Sequence, residues 1–248
     1  MYPRQKINKP WDGYMEPFRL IGSVYFVGTY QASSHLIDTG DGLIIIDTGY
    51  QNTLYMVVDS IYRLGFDTRD IRYILNSHWH IDHTGATAAL SHLSGAKTVI
   101  GKKDAPFLAE KELFSPDILV SDGDMIRLGN VQIRCADTPG HTLGTISFFF
   151  DTEEDGQRYR VGMFGGAGAN SLVPSFPDYY EGCRRDYLES IDKLQKEQVD
   201  VFIGNHCWNN DTKGRAERLA RGEKDAFIDS AEWGKFLNFC KKRCEALE

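Results

Sequence analysis

Apolar residues in this chain come in short bursts, each closed by a polar or glycine-rich stop. That is the pattern of strands buried on one or both faces. Residues 23–27, 34–38 and 43–47 read as strands. Gly40, Asp41 and Gly42 form a hairpin turn between the last two. The third is wholly apolar (Leu43, Ile44, Ile45, Ile46) and ends in an acid, Asp47. Over residues 52–64 the spacing becomes helical, with Leu54, Val57, Val58, Ile61 and Leu64 on one face and Gly65 as the stop. A strand at 71–75 follows, then a helix over 84–93 ending at Gly95, a strand at 98–100, and a helix over 103–114 that Pro106 can interrupt. Strands at 124–128 and 131–136 join at Gly129 and Asn130. Further strands are expected at 145–150, 159–164 and 199–203, with a polar turn at 153–157. The helix over 180–195 turns Tyr187, Leu188, Ile191 and Leu194 inward, and two more helices start near 213 and 231. Residues 1–17, punctuated by Pro3, Pro10 and Pro17, read as irregular. Strands come in runs, then helices, then runs again. This predicts an α/β (α+β) fold in which sheets pack face to face with helices outside.

The 248 residues admit one large domain or two small ones. No low-complexity linker divides them, so a single domain over 1–248 is expected. Composition is that of an ordinary globular protein, 42% hydrophobic and 25% charged. The formal net charge of -7, with no basic run, argues against nucleic acid as a partner. The start of the chain lacks an apolar signal region, and no apolar run approaches the ~20 residues of a membrane span. Five cysteines, an odd number without framework spacing, read as reduced thiols. A cytoplasmic protein without membrane contact is the expectation.

The chemistry concentrates in one stretch: Ser77, His78, Trp79, His80, Ile81, Asp82 and His83. Three of the chain's seven histidines fall within six positions here, beside a carboxylate. Imidazole and carboxylate are ligands that zinc takes. His78 and His80, two apart, can close on one cation, while Asp82 and His83 point to a second. The stretch follows a predicted strand, where open α/β sheets place their sites. His141 and His206 each follow a predicted strand in the same way. Six ligands result, enough for two zinc ions. The glycine-rich loop Gly165, Gly166, Ala167, Gly168 has no Lys-Ser/Thr after it, so it is not a phosphate cradle. It reads as a floor that substrate can approach closely.

These residues resemble the metallo-β-lactamase superfamily. Asp47, before Thr48 and Gly49, matches its first motif, the histidine stretch its second, His141 its third and His206 its last. Most members carry a bridging Asp at the fourth motif. Here Gly165, Gly166, Ala167 and Gly168 stand in that place, which is similar to the third subclass of metallo-β-lactamases. The resemblance implies an αββα sandwich with two packed mixed sheets. It implies two zinc ions, one on His78, His80 and His141, the other on Asp82, His83 and His206. It also implies a hydrolase in which a hydroxide shared by the ions opens a cyclic amide, with Asp82 as the catalytic carboxylate that orients it and takes its proton. Asp47 either fixes a ligand loop through a hydrogen bond or is a strand-end turn residue. Asn170, Ser171 and Trp79 are the substrate-binding candidates.

A small-molecule substrate, and a monomer or small homo-oligomer, are expected. The drug-carboxylate serines of the subclass are missing from the fourth-motif loop, so β-lactam turnover should be weak. The alternatives are a lactonase or thioesterase of the same fold, or a non-catalytic metal-binding module. Without the bridging acid the second ion should be held more loosely, and Gly166→Asp should tighten it.

Overall fold

The computed structural model describes residues 9–247. The irregular reading of positions 1–8, Pro3 included, and the signal-region reading lie outside the described residues. The chain builds two sheets. The first has seven strands: β1 (Phe18–Ile21), β2 (Val24–Phe26), β3 (His35–Asp38), β4 (Leu43–Ile46), β5 (Ile71–Leu75), β6 (Lys97–Gly101) and β7 (Ile118–Val120), in that spatial order. Strands β1 to β4 form an antiparallel meander, and β4 to β7 run parallel. The second sheet has β8 (Met125–Leu128), β9 (Val131–Asp137), β10 (Ile146–Glu154), β11 (Gln157–Met163) and β12 (Val201–Phe202), in the order β12-β11-β10-β9-β8. Only β11 and β12 pair in parallel.

Strand alternation explains the layers. Ile44 and Ile46 of β4 face inward, and so do Phe148 and Phe150 of β10; with Leu75, Val99, Ile133 and Val161 they form the core between the sheets. The intervening residues face out and need helices. Leu43 and Ile45 pack under α1 (Leu54–Arg63) and α3 (Thr87–Ser94) through Val57, Ile61 and Leu90. Phe149 packs under α5 (Cys183–Leu194) and α7 (Glu232–Glu245) through Tyr187, Ile191, Trp233 and Leu237. The result is an αββα sandwich of two mixed sheets, as the resemblance implies. The remaining helices are α2 (Ile81–Thr84), α4 (Ala105–Glu110) and α6 (Thr212–Ala220).

Several boundaries differ from the sequence reading. The expected helix over 84–93 is two pieces: α2 starts earlier, inside the histidine stretch, and α3 begins only after Gly85 and Ala86. Pro106 sits in the first turn of α4, where its missing N–H costs nothing, so it starts the helix rather than breaking it. The polar stretch 153–157 is mostly strand. Glu153 and Glu154 pair with Arg158 and Gln157, and only Asp155 and Gly156, both at positive φ, make the turn. Among the described residues, no helix is long and apolar enough to cross a membrane. All five cysteines are buried and unbridged.

Candidate metal centre

The ends of β4, β5, β6, β9, β11 and β12 lie at one end of the sandwich, and their following loops carry the chemistry. The loop after β5 holds His78, His80, Asp82 and His83; the loop after β9 holds His141; the loop after β12 holds His206. Two groups come together closely: His78, His80 and His141, and His78, Asp82 and His83, each with its ligand atoms within 4.8 Å of one another. His206 completes the second group from further off, its Nε2 3.9 Å from Asp82 Oδ2 and its ring 5.0 Å from that of His83.

The hydrogen bonds fix which nitrogen of each ring faces inward. His141 Nδ1 donates to the Gly168 carbonyl at 2.7 Å, and His206 Nδ1 to the Gln31 carbonyl at 2.5 Å. His83 Nδ1 donates to Asp47 at 2.8 Å. The Ser77 hydroxyl spends its hydrogen on Asp47 at 2.8 Å, so it accepts from His78 Nδ1 at 3.1 Å. In all four rings, then, Nε2 is left to point at the centre. His80 is turned the other way. Its Nδ1 stands 3.1 Å from His141 Nε2, and its Nε2 lies 3.6 Å from an Asp178 oxygen.

This donor set fits metal ions. His78 Nε2 and His83 Nε2 are buried without a hydrogen-bond partner, a costly arrangement unless a cation sits beside them. Two ligand nitrogens of a tetrahedral zinc, each roughly 2.0–2.1 Å from the ion, stand about 3.3 Å apart, close to the His80–His141 separation. Electrostatics agree. Burial, and the neighbouring imidazoles after it, hold His78 well below its ordinary pKa, so it stays neutral. Burial, with His80 next in effect, does the same for His141. Burial and His83 push His206 down to about 4. His83 is the exception. Burial lowers it, but Asp82 and Asp47 outweigh that and raise it. Burial works to raise Asp82, yet His83 and His206 hold it below the carboxylate range.

Asp47 is completely buried and accepts from Ser77 N at 2.7 Å, from the Ser77 hydroxyl and from His83. It takes φ 57 at the end of β4, the left-handed turn that aims its carboxylate at the loop after β5.

The three substrate-binding candidates fall in different surroundings. Asn170 and Trp79 line a cleft of about 780 Å³ beside the histidines, along with Tyr50, Phe176, Asp178 and Trp208. Trp79 is mostly buried, stacked on Phe107 at 5.5 Å with the Lys111 amine over its ring. Ser171 is buried, and its hydroxyl is directed at His141, 3.0 Å from Nδ1 and 2.7 Å from the carbonyl it donates to. It props His141 rather than facing the cleft. The glycine loop is also not an open floor. A Cβ at Gly166 would lie 2.7 Å from His141 Cβ, and one at Gly168 would lie 2.9 Å from His141 Cε1. These glycines are small because His141 lies on them.

The chain matches the metallo-β-lactamase superfamily over residues 27–206. It belongs to that superfamily. Its structure is similar to BJP-1, a subclass B3 metallo-β-lactamase of Bradyrhizobium japonicum, with a TM-score of 0.88 and 28% identity, covering 96% of this chain and 95% of that one. The Rm3 metallo-β-lactamase is similar at a TM-score of 0.90 and 28% identity, covering 98% and 97%. Among curated proteins, the hydroxyacylglutathione hydrolase of Pelagibacter ubique is 40% identical over 145 residues, 58% of this chain and 55% of that protein. The chain therefore spans about half the length of the curated relatives it matches. Superfamily membership bears out the expectation of an enzyme.

The sequence reading passed over Asp104. It precedes Ala105 and Pro106, so it looks like an ordinary helix cap, yet its side chain caps nothing in α4. The carboxylate is fully buried and turned to the loops that carry His78, His80 and His141. Asp178, Trp208, Tyr50 and Phe176 were missed as well, because no local pattern marks a residue that meets the site only through the fold.

Proposed function

We propose that the chain is a hydrolase that binds two zinc ions at this centre, one on His78, His80 and His141, the other on Asp82, His83 and His206. The observation that carries this reading is the set of inward-facing lone pairs from loops of both sheets, at the mouth of a cleft walled by aromatic rings. Bound there, zinc would polarise a carbonyl and make water nucleophilic near neutral pH. The chain's own residues do the rest. Asp82, with 24% of its side chain exposed, is the member of the set positioned to orient an attacking water and take its proton. Asp47 holds the His83 tautomer, and Ser77 that of His78. Trp79, Phe176 and Trp208 give the cleft an apolar lining.

We take the substrate to be a cyclic amide, a β-lactam opened slowly. The full-length likeness to subclass B3 enzymes and the lack of room for a bridging acid at Gly166 support this. A thioester is the second reading, supported by the 40% identity to a hydroxyacylglutathione hydrolase over part of the chain. A screen of a cephalosporin, a carbapenem, a lactone and a glutathione thioester separates the two. Slow β-lactam opening is expected, abolished by chelation and restored by zinc. Inert β-lactams beside rapid thioester turnover would leave the second reading standing, and full activity in metal-free protein would overturn both.

A further inference from the structure

Asp104 sits in the turn between β6 and α4, off the cleft, and its carboxylate joins the two loops that hold the three-histidine group. Oδ2 accepts from the backbone N–H of Trp79 at 3.0 Å, between His78 and His80 in the chain. The same oxygen accepts from the Thr142 hydroxyl at 2.8 Å, next to His141. Oδ1 accepts from Gly144 N at 2.6 Å. Gly144 is required for that approach, since a Cβ there would lie 2.3 Å from Asp104 N. Thr142 in turn bonds Thr145 Oγ1 at 2.8 Å, and Thr145 backs onto Gly166 beneath His141. Asp104 is fully buried, and no Lys, Arg or His pairs with it among the described residues. An unpaired buried carboxylate is costly to keep. A neutral residue of similar size could hold a helix start at less expense, and Asp104 does not even use its side chain as a cap.

We propose that Asp104 is a positioning residue for the three-histidine metal site: it sets the distance between the loop carrying His78 and His80 and the loop carrying His141. The proposal rests on the reading of this cluster as a metal centre. The two buried carboxylates differ in reach. Asp47 holds Ser77 and His83 but makes no bond to the His141 loop, whereas Asp104 spans both loops and touches neither His83 nor His206. Asp104→Asn replaces one acceptor oxygen with a donor amide that faces an N–H or O–H, so at least one loop is released.

The test is a zinc titration against a competing chelator, and a cobalt(II) titration followed by its visible spectrum, on wild type, Asp104→Asn and Thr142→Val. Wild type should take two ions. Asp104→Asn should weaken the His78/His80/His141 site by about 10–100-fold and alter its cobalt bands. The other site should change less than about threefold, a selectivity that general loosening of the fold would not produce. Thr142→Val keeps the carboxylate and removes only the hydroxyl, so it should shift the same site in the same direction by less. It carries the test if Asp104→Asn does not fold. Two ions bound by a folded Asp104→Asn with unchanged affinities would overturn the proposal alone, as would equal weakening of both sites or an unchanged Thr142→Val. A wild type that takes up no metal would overturn the metal-centre reading and the proposal with it.

Discussion

At the scale of single residues, His83, His141 and His206 are given their roles by neighbours that the sequence does not place beside them. The carbonyls of Gly168 and Gln31 set the tautomers of His141 and His206 from 27 and 175 positions away. Ser171 and Asp104 act in the same way, and both were misjudged or missed because their partners are distant in the chain. Asp104 also carries a measurable pH signature. Burial raises its carboxyl from 3.8 to about 6 despite bonds from Thr142, Gly144 and Trp79 that act to lower it. A carboxyl whose folded pKa is raised favours the folded state fully below the unfolded value, and that contribution is lost as pH rises through the folded one. Wild type should therefore lose stability relative to Asp104→Asn between about pH 4 and pH 7, by on the order of 3 kcal/mol. Urea unfolding of chelated protein across that range measures it, because metal binding has its own pH dependence. A stability difference that stays flat, or moves the other way, would show that the carboxyl is not strained by burial.

At the scale of elements, the long buried strands and amphipathic helices were legible because their periodicity is strong. β4, β5, β9 and α1 lie close to where the pattern predicts them. β1 and β7 were not found. Both are short edge strands: β1 pairs with β2 through a register shift, and β7 offers three residues, too few to show alternation. The break between α2 and α3 was hidden for another reason. A Cβ at Gly85 would lie 2.3 Å from Ile81 O and 2.9 Å from Gln51 N, so Gly85 lets α2 close against the turn after β4. Such an approach is invisible in a local pattern. The loop after β11 gives the sharpest correction. On sequence, Gly166→Asp would restore a bridging carboxylate and tighten the second ion. In the structure, the new Cβ meets His141 Cβ at 2.7 Å and Thr145 Cγ2 at 2.8 Å, so it displaces a ligand loop. Gly166→Asp should lower the thermal midpoint and reduce bound metal below the wild-type level. Elemental analysis beside a melting curve checks this, and a variant holding both ions more tightly would show that the loop can yield.

At the scale of the whole molecule, the proposed ligands are divided between the sheets. His78, His80, Asp82 and His83 follow β5 of the seven-stranded sheet, while His141 and His206 follow β9 and β12 of the five-stranded one. Each proposed ion therefore draws on both sheets and would tie them at the end where the apolar core stops. The order of motifs revealed this much in the sequence, since each ligand follows a strand. That the strands belong to different sheets was not visible until they were paired. The division makes metal a global stabiliser. A ligand that binds only the folded state at a thousandfold excess over its Kd adds about 4 kcal/mol. In a chain of this size that corresponds to a thermal midpoint raised by roughly 10 °C. Chelation should lower the midpoint by about that much, and zinc should return it. His141→Ala removes a five-stranded-sheet ligand from one site and His206→Ala from the other, so each should retain only part of the response. Differential scanning calorimetry with and without chelator reads all three proteins. A midpoint indifferent to chelation would mean that the inward-facing histidines hold no metal in the folded protein, and equal full responses in both variants would mean that neither histidine is a ligand.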